Sequence, residues 1–335
     1  MSGFTMTFGS GVMDSVFGKS QEPIRMFLER RGEQFEQTSV LKNLFYMGTT
    51  DKFGDKITTM TAMKGFQAVG ENGAYPTDSM EEGYSKYIEQ MTWKDSFSIS
   101  QEAVEDAVMI NFRQRPEAFI TGYHRTREQF GAALYGGALS GLSSIKFAGK
   151  EFDLLCADKK PLFSAEHVQK ETGKVQSNMF SDEFSVDALG ELETRMQNFE
   201  GDTGEILDVA PDTILIPNNI PGLKKAVFAA IGADKDPETS NNGFNYQFGR
   251  WNVIVWPYLN QYVTGGNKPW ILLDSKYNET YGGAVWLDRL ALTVKSDIDP
   301  NTDANIFKGR ARYSAAFNDF RFAAVGGMGG AAALG

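Results

Sequence analysis

The stretch Phe97–Leu142 (FSISQEAVEDAVMINFRQRPEAFITGYHRTREQFGAALYGGALSGL) constrains the fold more than any other part of the chain. It reads as the end of a strand, a short helix, a proline break and then one long helix. Ser100 is placed as an N-cap, because its hydroxyl accepts from N–H groups that a first turn leaves unpaired. Gln101, Glu102 and Glu105 put polar and acidic residues where the helix dipole favours them. Val104, Val108 and Phe112 recur every four residues as one apolar stripe. Pro116 suits the first position of the next helix, where its missing N–H costs nothing. Beyond it Phe119, Tyr123, Phe130, Leu134 and Ala138 share a face, and Gly136, Gly137 and Gly141 loosen the last turns and supply a stop. A helix over 116–141 would be about 39 Å long, well beyond the usual 11–12 residues or so. A rod of that length acts as a beam across a sheet.

Strand patterns surround the beam. Ile57–Met63 is rich in β-branched residues. From Tyr84 to Ser100, Tyr87, Met91, Trp93, Phe97 and Ile99 share one parity, and Lys86, Gln90, Thr92, Lys94 and Ser98 the other. The intervening GFQAVGENGAYPTDSMEEG is dense in turn residues. Residues 51–96 therefore form a long hairpin with few apolar residues near its tip. Such a ribbon is hard to stabilise alone and must lie on something, for which a neighbouring chain is one candidate. The first 20 residues read as an arm rather than a packed element, and Glu22–Met47 as two short helices separated by Gly32. After the beam comes a loop-rich passage containing KKPLFSAEH. A helix capped by Ser185, with Val186, Leu189, Leu192 and Met196 on one face, follows. A buried strand Thr213–Ile216 leads into a helix over Gly222–Ile231, and WNVIVWPYL and WILLDSK supply two more strands. Residues 185–285 thus form an α/β lobe. In the last long strand Phe307, Ala311, Tyr313, Ala315 and Phe317 alternate with Lys308, Arg310, Arg312, Ser314 and Asn318, so one face is exposed. That strand pairs back on early elements, which makes the lobe an insertion.

Composition narrows the functions. The chain has 33 basic and 43 acidic residues, net −10, and no Lys/Arg run longer than Arg30-Arg31 or Lys159-Lys160. Sequence-independent nucleic-acid binding, which needs a basic footprint, is disfavoured as the main task. Cys156 is the one cysteine, which rules out an intramolecular disulfide framework and makes a cytosolic origin the default. No apolar run approaches the ~20 residues that span a bilayer, and the first residues lack the pattern of a secretory signal.

The chemical inventory is sparse. His124, His167 and Cys156 are far apart in sequence, so no metal site is expected, and either histidine reads as a packed or capping side chain. Gly18-Lys19-Ser20 lacks the glycine that a phosphate loop needs at position 13, which is Met13. GGALSG and GGMGG are not placed as dinucleotide fingerprints, and no G-x-S-x-G elbow occurs. Asp51, Asp55, Glu71, Glu81 and Glu82 fall on the ribbon, and Asn278-Glu279-Thr280 is a glycosylation acceptor in form only. No catalytic, cofactor-binding or metal-ligating residue is expected.

In their order, SFSISQEAVEDAVMINF, KKPLFSAEH, DTILIPNNIPGLKKA, WNVIVWPYL and WILLDSK resemble the Mu-like prophage major head subunit (gpT) family, one of the tailed-bacteriophage major capsid proteins with the Hong Kong 97-type fold. The resemblance covers roughly Asp51 to Gly327. It implies an α+β chain with an N-terminal arm (1–50), an extended hairpin loop (51–96), and a peripheral domain (97–184 and 286–327) with a spine helix over 116–141. An axial domain (185–285) and a short tail (328–335) complete it. The implied function is a head protein whose hexamers and pentamers build an icosahedral shell around double-stranded DNA, without sequence-specific binding, membrane or cofactor. Its partners would be many copies of itself, with portal and decoration proteins; no charged coiled-coil segment marks a fused scaffold, which leaves a separate scaffolding protein or none. Assembly would take place in the host bacterial cytoplasm, and the product would be the virion. Contact with a neighbouring copy would fall on Gly65, Phe66, Tyr75, Pro76 and Tyr84 of the ribbon. Asp234, Asp236, Asn241, Phe244 and Tyr246 would approach the capsomer axis, and Gly54 and Gly83 would be hinges. Two alternatives stand beside it: an encapsulin-like nanocompartment shell, and a soluble enzyme with a site around Asp153, Asp158 and His167.

Overall fold

A computed structural model of the chain describes residues 5–8, 32, 35, 37–60, 68–69, 82–100, 109–232, 245–263, 266–302 and 304–328. In chain order these hold β1 (Thr5–Phe8), α1 (Leu41–Leu44), β2 (Tyr46–Thr49), β3 (Gly54–Met60), β4 (Glu82–Glu89), β5 (Met91–Ile99) and α2 (Met109–Leu139). Two short hairpins follow, β6 (Ser144–Phe147) with β7 (Lys150–Asp153), and β8 (His167–Val168) with β9 (Val175–Gln176). Then come α3 (Val186–Gln197), β10 (Thr213–Ile216), α4 (Leu223–Gly232), β11 (Asn252–Val255), β12 (Trp270–Leu273) and α5 (Ser275–Tyr281). The chain returns through β13 (Ala284–Ile298), β14 (Asn305–Phe317) and β15 (Ala323–Gly326).

A five-stranded sheet is built on the long β13–β14 hairpin, with β5 antiparallel on the outer side of β14. β2 and β1 both run parallel to β13, at Val285–Asp288 and at Thr293–Ser296. The first residues were expected as an unpacked arm, yet Thr5–Phe8 is a strand. The reason is geometric: β13 outruns β2, and the backbone groups beyond Asp288 need a partner. Gly32, expected to separate two helices, is itself helical, as is Phe35. The expected single strand over Tyr84–Ser100 is interrupted at Gln90, whose N–H bonds Phe53 O at 2.9 Å. There β4 stays in the ribbon with β3, and β5 departs to pair with β14.

The long helix α2 crosses this sheet. It spans 31 residues, about 46 Å, and Pro116 lies inside it rather than at its start. The expected break at Pro116 is therefore corrected. A mid-helix proline removes one bond to the carbonyl four residues back and costs ~3 kcal/mol. Against that, the Pro116 ring is buried, Phe119 and Ile120 enter the core just beyond it, and Arg115 Nη1 donates to Ser98 O at 2.5 Å. The start of the expected short helix, over 101–108, lies outside the described residues, and its remainder is continuous with α2. At the other end Gly141, at φ 65°, provides the stop. Its N–H bonds Ala138 O at 3.0 Å and that of Leu142 bonds Gly137 O at 3.0 Å, the paired arrangement of a left-handed helix cap.

The second sheet has the order β11-β10-β12-β15. All four residues of β10 are buried, as in strands covered on both faces. α3 forms where expected: Ser185 Oγ accepts from the Ala188 N–H at 3.0 Å, and Leu189, Leu192 and Met196 are buried. The edge strand β15, from a stretch expected to lie with the first sheet, instead pairs antiparallel with β12, from Leu273↔Ala323 to Trp270↔Gly326. One continuous core runs through both sheets: Tyr135 of α2 meets Trp256 edge-on at 6.2 Å, and Trp256 Nε1 donates to Glu128 Oε2 of α2 at 3.0 Å. No helix among the described residues is long and apolar enough to cross a membrane.

Candidate assembly interface

The ribbon leaves the body at a built root. Ile88 of β4 and Ile57 of β3 pack on Val285, Leu287 and Ala316, a small cluster on the face of β13–β14 opposite α2. Lys86 is buried beside it. Its ammonium donates to Asp153 O at 3.3 Å and to Leu155 O and pairs with the Asp153 carboxylate at 3.1 Å. Lys170 Nζ donates to Gly83 O at 3.2 Å, and Tyr84 Oη donates to Val168 O at 3.5 Å. Burial, followed by the charges of Asp202 and Asp158, pushes the Tyr84 phenol up, with Arg321 opposing. Of the two expected hinges, Gly83 lies buried within β4. Gly54 opens β3 beneath the Tyr87 ring, which a Cβ would overlap. Phe53 (56% exposed) and Tyr87 (59%) present apolar surface on the root. Gly65, Phe66, Tyr75 and Pro76 lie outside the described residues.

Under the root sits a buried polar floor. His167 is fully buried, its Nδ1 is 2.6 Å from Asp158 Oδ2, and its ring stacks on Phe320 at 3.7 Å. Arg321 pairs with Asp202 at 2.7 Å and with Asp319 at 3.2 Å. Desolvation opposes its charge, but the two carboxylates hold its pKa above the ordinary value. Asp158 and His167 thus tie a loop together, while Asp153 turns outward toward Lys86 with 63% of its side chain exposed. The three residues of the enzyme alternative do not converge on a cavity. Cys156 is buried, and burial raises its thiol pKa well above the usual value. His124 stacks on Phe35 at 4.8 Å. No group of three or more metal-ligating residues occurs among the described residues.

At the far end of the second sheet the expected axis loop is described only in part. Asp234, Asp236, Asn241 and Phe244 lie outside the described residues. Tyr246 is half exposed and its hydroxyl lies over Gly190 of α3. Below it Asn245 Nδ2 donates to Ala230 O at 2.5 Å, and Gln247 Nε2 to Glu193 Oε2 at 3.0 Å, so the loop is pinned to both α3 and α4. Phe228 and Phe248 add exposed apolar surface at this end.

A patch that run-based reading of the sequence misses lies beyond the ribbon root. Lys94, Lys295, Lys308, Arg310 and Arg312 come from three strands and share one sheet face by register. The alternation in β14 predicts an exposed face, and its Lys308, Arg310 and Arg312 are the signal of the patch.

The Phage capsid protein family model matches residues 83–326. Among solved structures, the capsid of cyanophage P-SCSP1u has a TM-score of 0.51 at 9% identity, over 86% of this chain and 87% of that one. A chain of Mycobacterium phage Patience aligns over 98% and 93% at 10% identity with a TM-score of 0.49. The capsid of Ralstonia phage GP4 aligns over 84% and 88% at 10% identity, TM-score 0.49. No curated protein sequence matches the chain. The α+β architecture is that of the Hong Kong 97-type capsid fold. With a match spanning β4 to β15, the chain belongs to the phage capsid protein family, and is a structural shell protein rather than an enzyme.

Proposed function

We propose that the chain is the major head protein of a tailed bacteriophage or prophage, of the Mu-like gpT group. Many copies assemble as hexamers and pentamers into an icosahedral shell enclosing double-stranded DNA. The observation that carries this reading is the family match over 83–326 on a fold whose ribbon leaves the body as an isolated pair of strands. A two-stranded ribbon is marginal in water, and a shell supplies the surface that one chain lacks. Each contact can be modest, because the closed assembly persists through their number.

In this reading residues 1–50 are the arm, 51–96 the extended loop, 97–184 and 286–327 the peripheral domain, 185–285 the axial domain and 328–335 the tail. Gly65, Phe66, Tyr75, Pro76 and Tyr84 contact a neighbouring copy. Asp234, Asp236, Asn241, Phe244 and Tyr246 approach the capsomer axis. Gly54 and Gly83 let the ribbon change angle as the shell expands. Separate scaffolding, portal and decoration proteins complete the head, which is assembled in the host cytoplasm.

The test is deletion of residues 65–83 from the full chain, followed by sedimentation and negative-stain imaging. The wild type is expected to form closed megadalton particles, and the deletion to remain a folded subunit that forms none. Normal shells from the deletion would refute the ribbon's role. A small stable oligomer from the wild type would refute the shell.

A further inference from the structure

The polar floor under the ribbon root encloses a cavity of about 10 Å³, and Tyr84, Asp158, Asp202, Asn318, Asp319 and Arg321 form part of its wall. These residues come from four separate pieces of chain. Tyr84 belongs to β4, Asp158 to the loop after β7, Asp202 to the loop after α3, and Asn318–Arg321 to the crossover from β14 to β15. The Asn318 backbone is fixed on both sides: its N–H donates to Gly283 O at 2.6 Å, and its carbonyl accepts from the Ala157 N–H at 2.9 Å. Its side chain is not. Asn318 is only 1% exposed, yet neither Oδ1 nor Nδ2 has a hydrogen-bond partner among the described residues. A buried amide in that state is costly, and in a native protein it calls for a bound group that completes it.

Size and chemistry both select the group. One water needs about 10–15 Å³, and polar walls hold it where apolar walls would stay dry. A metal ion fits poorly. The Arg321 guanidinium is part of the wall, and no group of three or more metal-ligating residues occurs among the described residues. A cation would also answer Asn318 Oδ1 and leave Nδ2 without an acceptor. A water answers both, because it donates and accepts. Asp202 gives Oδ1 to Arg321 at 2.7 Å, and Asp158 Oδ2 lies 2.6 Å from His167 Nδ1. A carboxylate has about four acceptor sites, so both retain capacity. We propose that the cavity is the site of one structural water, bonded to the Asn318 amide and to the Asp158 and Asp202 carboxylates, which joins the ribbon root to the crossover between the two sheets. Burial, and then the charges of Asp202 and Asp158, raise the Tyr84 pKa, so a neutral phenol closes the ribbon side of the site. The site is a property of the single chain and does not depend on the shell reading above.

The test uses the full-length chain, with a high-resolution crystal structure and oxygen-17 relaxation dispersion of the solvent, which detects long-lived internal waters. The wild type is expected to show one density peak at about 2.7–3.2 Å from the Asn318 amide and from a carboxylate oxygen. A dry cavity overturns the proposal. A peak with oxygen neighbours at about 2.4 Å, or at about 2.1 Å, is a calcium or magnesium ion and overturns it as well. Asn318→Leu keeps the approximate shape of the side chain and removes both polar atoms. It should lose the peak, reduce the dispersion amplitude by one long-lived water, and lower the thermal midpoint by about 2 °C or more, because the two carboxylates lose a donor. An amide that was merely orphaned would behave in the opposite way, since an apolar group of the same shape is then neutral or stabilising. An unchanged or higher midpoint for Asn318→Leu therefore contradicts the site. If that variant does not fold, the wild-type density and dispersion decide the matter by themselves.

Discussion

Arg127 is enclosed by three rings and one carboxylate. Its two terminal nitrogens each donate to Asp288 at 3.0 Å, and its guanidinium lies 4.9 Å from the Trp286 ring and 5.0 Å from that of Tyr313. Arg127→Met would leave Asp288 buried without its counter-charge and should cost about 3–5 kcal/mol in a denaturant titration. Arg127→Lys should recover only part, because an ammonium cannot replace the two-pronged bond. One turn away His124 provides a pH handle. Burial first, and the Arg127 charge second, lower its pKa from 6.5 to about 4. The unfolded chain therefore takes up a proton between those values that the folded chain refuses. This group's contribution to stability is whole above pH 6.5, falls as pH drops, and is lost below about pH 4. His124→Phe, which keeps a ring against Phe35, should make stability less dependent on pH in that window. Midpoints at pH 7 and pH 4.5 that shift as much as in the wild type would contradict this. Neither role was visible in the sequence, because Phe35 and Asp288 lie 89 and 161 residues from their partners.

Among the elements, α3 and β10 were legible because their signals are local: a serine cap with a four-residue apolar period, and a short apolar run ended by a proline turn. The long helix was legible as a beam, but its ends were not. Pro116 and the glycines are the strongest punctuation a chain carries, and here packing overrides three of them. Gly136 and Gly137 were read as loosening the last turns. In the structure they lie inside α2, where a Cβ at Gly136 would overlap Tyr262 and one at Gly137 would overlap Leu154. They are points of close approach between the helix and its neighbours. Gly136→Ala should therefore destabilise the chain by about 1–3 kcal/mol through overpacking, although alanine favours a helix interior by about 1 kcal/mol. A thermal melt decides the sign, and an increase in midpoint would mean that Tyr262 moves aside at no cost.

At the scale of the whole molecule, the order of elements predicts an inserted lobe over 185–285, and the sheet that holds β10, β11 and β12 also takes in β15 from beyond those bounds. The route by which the chain closes that sheet was not legible. β15 is only four residues, AAVG, with no alternation, a glycine as its last residue and another directly after it, so nothing local marks it as a strand. It is a strand because the edge of β12 is open and fully buried, and because Gly326 and Gly327 admit the Trp270 ring against the backbone. β15 is joined to β14 by the segment Asn318–Phe322, and Ala157 N–H bonds Asn318 O at 2.9 Å while Asp274 N–H bonds Phe322 O at 2.9 Å. The last strand of one sheet and the edge strand of the other are thus held by neighbouring residues in a shared core. The two sheets should therefore unfold together. Trp93 and Trp286 report on the first sheet and Trp256 and Trp270 on the second. Variants retaining one pair or the other, with the removed tryptophans replaced by phenylalanine, should give urea transitions that coincide with each other and with circular dichroism. Removing residues 323–335 should abolish that single transition, because it bares the β12 edge and the Trp270 ring. Two separated transitions in the full-length chain would show that the lobe is an independent unit, and that the closure by β15 contributes little to holding the molecule together.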